Sequence, residues 1–225
     1  MHPAFSVLFL TTLIGAGQGL FLALYTGQVY ALAHLLPAQG PDFYVGGSVL
    51  ALVLLVLGLV ASFFHLGRPE RAWRTATMWR TSWLSREVIV LPLVMGLVAL
   101  YGLAHGLGLT ARPWFSLAGL LPVDATLVLG LLASLAVYAL YVCTAMIYAS
   151  VRFLPEWHSP LTVANFILLG MASGFMLAAA YAAERGAPLV SFYGLWAVIF
   201  TLLGLVSRGL SLWRRGRITP KSSLR

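Results

Sequence analysis

Six stretches of this 225-residue chain are each long and apolar enough to cross a bilayer, and that property limits what the chain can fold into. A hydrocarbon core about 30 Å thick takes roughly 20 residues of helix. Inside it each backbone N–H and C=O must find its partner within the protein. The stretches lie near residues 5–33, 46–65, 86–108, 125–150, 162–183 and 188–208. They predict an all-α polytopic transmembrane helix bundle with about six spanning helices, one domain over residues 1–212 and a basic tail over 213–225. Composition agrees, with 9% charged residues where soluble proteins carry roughly 25%. The mean hydropathy is +0.92. The first span lacks the basic leader of a signal peptide and is too long for one, so it reads as a retained helix.

The basic balance, +8 at neutral pH, would suggest nucleic acid in a soluble protein. Here the cations stand at the ends of apolar spans, which points to membrane orientation and a polar partner. With the N-terminus on one side, that side collects twelve Lys and Arg residues and the other side only Arg112 and Arg185. The positive-inside rule then predicts that both termini and the 65–87 connector face the cytoplasm of a bacterial inner membrane. Cys143 is the only cysteine, so the chain offers no disulfide, no iron–sulfur cluster and no cysteine-bound zinc.

The longest polar interruption, HLGRPERAWRTATMWRTSWLSRE, runs from His65 to Glu87. It holds five arginines (Arg68, Arg71, Arg74, Arg80, Arg86) and the tryptophans Trp73, Trp79 and Trp83. Pro69 suits the first turn of a short surface helix, and the tryptophans suit the headgroup level. Ser82 or Ser85 is expected to cap the third span, which puts Glu87 within its first two turns. Pro92 would free the carbonyl of Val88 beside it. In the first span Gln18, Tyr25 and Gln28 form a polar line beside Gly15, Gly17 and Gly19, and helix packing is the favoured reading of Gln18. Tyr138, Tyr141, Tyr148 and Arg152 share one face of the fourth span. Gly170 and Gly174 form a close-packing pair in the fifth.

No soluble-enzyme signature is present, and no metal site is expected. A membrane haem needs paired histidines at one depth, whereas His34, His65, His105 and His158 all fall at span ends. The better constellation is His65, Glu87, Tyr148 and Arg152 with the surrounding tryptophans, at one membrane face. A carboxylate inside a span is costly and marks a functional site by default. Quinone chemistry needs such a set: an apolar slot, hydrogen-bond partners for the ring oxygens and a proton route to water. Plainer readings stand beside it. Glu87 could pair with a nearby Arg, His65 could simply complement a helix C-terminus, and the tyrosines could pack the bundle.

The runs MHPAFSVLFLTTLIGAGQGL, FHLGRPERAW followed by SWLSRE, and PEWHSP resemble the dimethyl sulfoxide reductase anchor subunits, a family that includes the anchor of a quinone-linked, molybdenum-dependent sulfite dehydrogenase. The resemblance covers nearly the whole chain and is strongest from His65 to Glu87. It implies a non-catalytic subunit that holds an iron–sulfur subunit and a molybdopterin catalytic subunit at the membrane, passes electrons to or from quinone, and carries no haem. The matching His65 and Glu87 would line the quinone site, with Trp83, Tyr148 and Arg152 around the quinone. Arg68, Arg71, Arg74, Trp73 and Trp79 would dock the iron–sulfur partner. The family usually has more spans than this chain holds. The predicted orientation is similar to the sulfite dehydrogenase branch, which implies sulfite oxidation with ubiquinone or menaquinone as acceptor. The alternatives are the anchor of a quinol-oxidising S- or N-oxide reductase and, in another class, a small transporter or purely structural anchor.

Overall fold

The computed structural model describes residues 5–64, 69–111, 113–117 and 121–218. Among the described residues, six helices are long and apolar enough to cross a membrane. They are α1 (Phe5–Leu32), α2 (Pro41–Phe63), α3 (Trp83–Gly106), α4 (Ala125–Ala149), α5 (Pro160–Glu184) and α6 (Val190–Gly216). The expected helical bundle is therefore what the chain forms.

Local chemistry sets the boundaries. α2 starts earlier than its apolar run because Pro41 follows an extended Gly40 and sits at a first-turn position, where its missing N–H has no partner to lose. Ser82, not Ser85, caps α3, its side chain accepting the backbone N–H of Ser85. Asp124 caps α4 through the N–H of Leu127, and Ser159 caps α5 ahead of Pro160. α6 continues to Gly216, so the expected tail begins inside a helix.

Two connectors differ from simple turns. Pro69–Met78 is a 3₁₀ helix, whose side chains repeat at i, i+3. Glu70 and Arg74, four residues apart, therefore do not stand above one another as they would on an α-helix. Residues Phe115–Leu117 (β1) and Leu121–Val123 (β2) form a small antiparallel hairpin outside the bundle, an addition to the all-helical expectation.

α1 is the hub and packs most extensively against α2 and α5, with α4 also against it. Leu20, Phe21, Ala23 and Leu24 are fully buried at its centre. The α1–α5 approach is backbone to backbone, where a Cβ on Gly19 would collide with the carbonyl of Gly170 and one on Gly174 with the main chain of Gly19 and Leu20. α6 lies outermost, with Leu195, Leu205 and Val206 more than 60% exposed. Such an apolar surface suits lipid, and the chain is a multi-pass membrane protein.

Hydrogen bonds between helices fix their directions. Tyr141 Oη donates to the carbonyl of Gly15 at 2.8 Å, and Gln28 Nε2 donates to Thr126 Oγ1 at 2.7 Å. The N-terminal half of α1 thus meets the C-terminal half of α4 and conversely, so the two are antiparallel. Glu87 and Thr144 join the start of α3 to the end of α4 in the same sense. The bundle has one end with the starts of α1, α3 and α5, called the near end below, and an opposite far end.

Candidate functional site

The buried stripe of α3 begins at Glu87 and continues through Leu91, Val94 and Val98. The facing stripe of α4 runs Ala133, Val137, Leu140 and Thr144. Both repeat at spacings of four and three, the seam of two packed helices. Its last rung at the near end is polar: Thr144 Oγ1 donates to Glu87 Oε1 at 2.5 Å. Glu87 is 8% exposed, so the carboxylate is held inside the bundle.

Beside that rung lies a cavity of about 670 Å³. Leu10, Leu13, Ile14, Leu54, Phe166, Leu169 and Leu177 make its wall largely apolar. Glu87, Thr144, Tyr141, Gln18, Asn165 and Arg208 supply polar points, and the Thr11, Thr12 and Ser173 hydroxyls also line it while bonded to carbonyls of their own helices. Gly15 and Gly170 line it too, and Gly170 leaves the space that the Tyr141 ring fills. Asn165 donates through Nδ2 to Ser211 Oγ at 2.9 Å, while its Oδ1 has no partner among the described residues. Gln18 is 1% exposed and its Nε2 has no partner there either. Arg208 is exposed and lines the cavity from α6.

Of the residues expected around this site, Glu87 lines the cavity, and Tyr148, Trp83 and Arg152 do not. Tyr148 stands one layer behind the wall, stacked on Phe166 with ring centroids 5.5 Å apart and edge-on to Trp157. Trp83 is half-buried beneath the Arg86 guanidinium, 4.1 Å from its ring centroid. Arg86 in turn donates to the carbonyls of Trp79 and Arg80, which ties the connector to α3. Arg152 is exposed in the turn after α4. His65 and Arg68 lie outside the described residues.

Arg71, Arg74, Trp73 and Trp79 are exposed on the near-end surface. Ser85 Oγ donates to the carbonyl of Thr75, which pins the 3₁₀ segment to α3. The Arg74 and Arg80 guanidinia stand over Trp73 and Trp79, 5.5 and 5.4 Å from the ring centroids.

Thr144, Asn165 and Arg208 were not anticipated in the site. The signal for Thr144 was available: it continues the stripe of small and apolar residues by which α4 faces α3. Asn165 and Arg208 reach the cavity only through the packing of α5 on α6.

Among the described residues, no group of three or more His, Cys, Asp or Glu side chains is placed to hold a metal ion. The family model of the DMSO reductase anchor subunit (DmsC) matches residues 1–220. A sulfite dehydrogenase subunit of Allochromatium vinosum is 66% identical over 224 residues, covering 100% of this chain and 69% of the relative's length. No solved structure matches the chain.

Proposed function

The chain belongs to the dimethyl sulfoxide reductase anchor subunit family and is an anchor subunit of an oxidoreductase complex; from that premise we propose that it passes electrons between an iron–sulfur partner and the quinone pool at the Glu87 cavity. The observation that carries this reading is a buried carboxylate, held by Thr144, facing a cavity of about 670 Å³ whose wall is otherwise largely apolar. The donor set fits a quinone: apolar walls for ring and tail, and a few polar groups to orient the ring oxygens. When bound, quinone accepts an electron pair and a proton for each ring oxygen.

The protein's part is positional and protonic. Thr144 fixes Glu87 Oε1, which leaves Oε2 to hold or release a proton toward the cavity. The Ser82 cap sets where on α3 that carboxyl falls. His65 is assigned a hydrogen bond to a ring oxygen from its place in the family motif. The near end, with its excess of basic residues, is assigned to the cytoplasm. There Arg68, Arg71, Arg74, Trp73 and Trp79 would dock the iron–sulfur subunit, with the molybdopterin subunit beyond it. The name of the A. vinosum relative favours sulfite as the electron donor.

Purification through this subunit from native membranes tests the proposal. Iron, molybdenum and sulfite-dependent quinone reduction are expected to come with it. Metals without sulfite activity would shift the reading to quinol-driven reduction of an S- or N-oxide. Recovery without either metal would overturn it.

A further inference from the structure

We propose that Gln18 is a ligand-binding residue, its side-chain amide donating from Nε2 to a carbonyl oxygen of a quinone in the Glu87 cavity. This rests on the quinone reading of that cavity and adds the group at its deeper end.

The first ground is an unmet donor. Gln18 is 1% exposed and lines the cavity, and its Nε2, enclosed as it stands, has no partner among the described residues; a half-turn of the amide presents it to the cavity. An amide N–H left unbonded at membrane depth is expensive. The same helix shows how a structural glutamine is treated: Gln28 accepts from Tyr101 Oη at 2.8 Å and donates to Thr126 Oγ1 at 2.7 Å. Gln18 has been given a cavity in place of a second residue. Gly19 beside it is used for close approach to α5, while Gln18 itself lines the cavity.

The second ground is depth. The bond from Tyr141 Oη to the Gly15 carbonyl sets the register of the antiparallel pair α1 and α4. From that level Thr144 is a turn nearer the near end, and Gln18 is a turn further in. The Glu87–Thr144 pair and Gln18 are thus separated by about 9 Å along the bundle, at roughly 1.5 Å per residue. The same wall carries the Tyr141 ring, Gly170 and aliphatic side chains, and its Thr11, Thr12 and Ser173 hydroxyls are spent on carbonyls of their own helices. Polar groups at the two ends of an apolar slot match a flat ring with an acceptor oxygen at each end. A carbonyl accepts from an amide N–H, so the deeper oxygen goes to Gln18.

The test uses the purified complex with wild-type, Gln18→Leu and Gln18→Asn subunits, titrated with decylubiquinone and menadione by tryptophan fluorescence. Gln18→Leu is expected to raise Kd and KM about five- to tenfold, the effect of one neutral hydrogen bond. Gln18→Asn should recover part of the loss. Without quinone, the thermal midpoint of Gln18→Leu should equal or exceed that of wild type, because no protein partner is lost. A packing role predicts the reverse: a lower midpoint with Kd unchanged, and that result overturns the proposal. Unchanged Kd with unchanged midpoint, as for an amide that bonds only water, overturns it too. If Gln18→Leu does not assemble, unchanged Kd in Gln18→Asn decides against it. Glu87→Gln separates the two levels. If it weakens binding while Gln18→Leu does not, only the role of Gln18 falls. If neither does, or wild type binds no analogue, the quinone reading of the cavity falls as well.

Discussion

The two ends of the bundle differ in how far their buried polar side chains are tied to one another. At the far end Tyr101 donates to Gln28, Gln28 to Thr126, and Thr126 to Asp124 Oδ1, all at 2.7 to 2.8 Å. Asp124 also takes the N–H of Leu127, and Tyr44 stacks on His105 at 4.4 Å between centroids. Along that chain each donor is aimed at the next acceptor, and the chain ends on a carboxylate. The adjoining cavity is only about 190 Å³, and His105 Nε2 and the Tyr193 hydroxyl, packed against Gly27, are left without a partner among the described residues. At the near end one bond, Thr144 to Glu87, faces a cavity more than three times larger, with Gln18 Nε2 and Asn165 Oδ1 unmatched among those residues. A polar chain closed on itself ties helices together. Polar groups set open around a cavity are poised to bind something else. Two glutamines on a single helix, Gln28 and Gln18, fall on either side of that line.

The largest effect should come from the near end. Glu87→Gln keeps an oxygen to accept from Thr144 and removes the exchangeable proton. Quinone-coupled turnover of the purified complex should fall by about a hundredfold, the lower range for a lost acid–base group, with little change in thermal midpoint. Steady-state quinone reduction decides it: turnover near wild type would remove the proton role from Glu87 and, with it, the functional side of the contrast.

Gln28→Leu is the matching change at the far end. It strands the Tyr101 hydroxyl and removes a donor from Thr126, so stability should drop by about 1–2 kcal/mol. For a chain of this size that lowers the thermal midpoint by roughly 2–8 °C. Quinone affinity should stay at the wild-type value. A loss of affinity equal to that of Gln18→Leu would break the division between the ends.

The fold was almost entirely legible because spanning helices must satisfy their own backbone, which leaves a long apolar run with few other choices. The boundaries were less so, since Pro41 and Ser82 act through local caps that hydropathy does not register. Glu87 was legible for the same reason as the spans: a carboxylate in an apolar stretch stands out against its background. Its partner Thr144 did not stand out, because a threonine costs little in a helix seam and its role depends on which helix faces it. Trp83, Tyr148 and Arg152 share the near end with Glu87, yet depth along the membrane does not fix rotation about a helix axis or which wall a side chain joins. Gln18 is the sharpest case. Sequence favours packing for such a residue, and only an Nε2 with no partner among the described residues separates it from Gln28.

The smallest expected effect lies on the surface of the near end, where the contrast gains a third member. Arg71 and Arg74 are exposed on a 3₁₀ segment tied to α3 through Ser85 and Thr75. Exposed ion pairs are worth roughly 0.2–1 kcal/mol each and weaken with salt. Replacing both arginines by alanine should therefore cost only a few-fold in retention of the iron–sulfur partner. The loss should be clearest in washes of low ionic strength and fade as salt rises, because salt already screens the wild-type contact. Co-purified iron per anchor subunit, measured across a salt series, reads this directly. Quinone affinity of the complex that remains should be unchanged, since neither arginine lines the cavity. A fall in that affinity would mean the segment shapes the cavity through its tie to Ser85, two residues before Glu87, and docking and ligand binding would then be one coupled region rather than two.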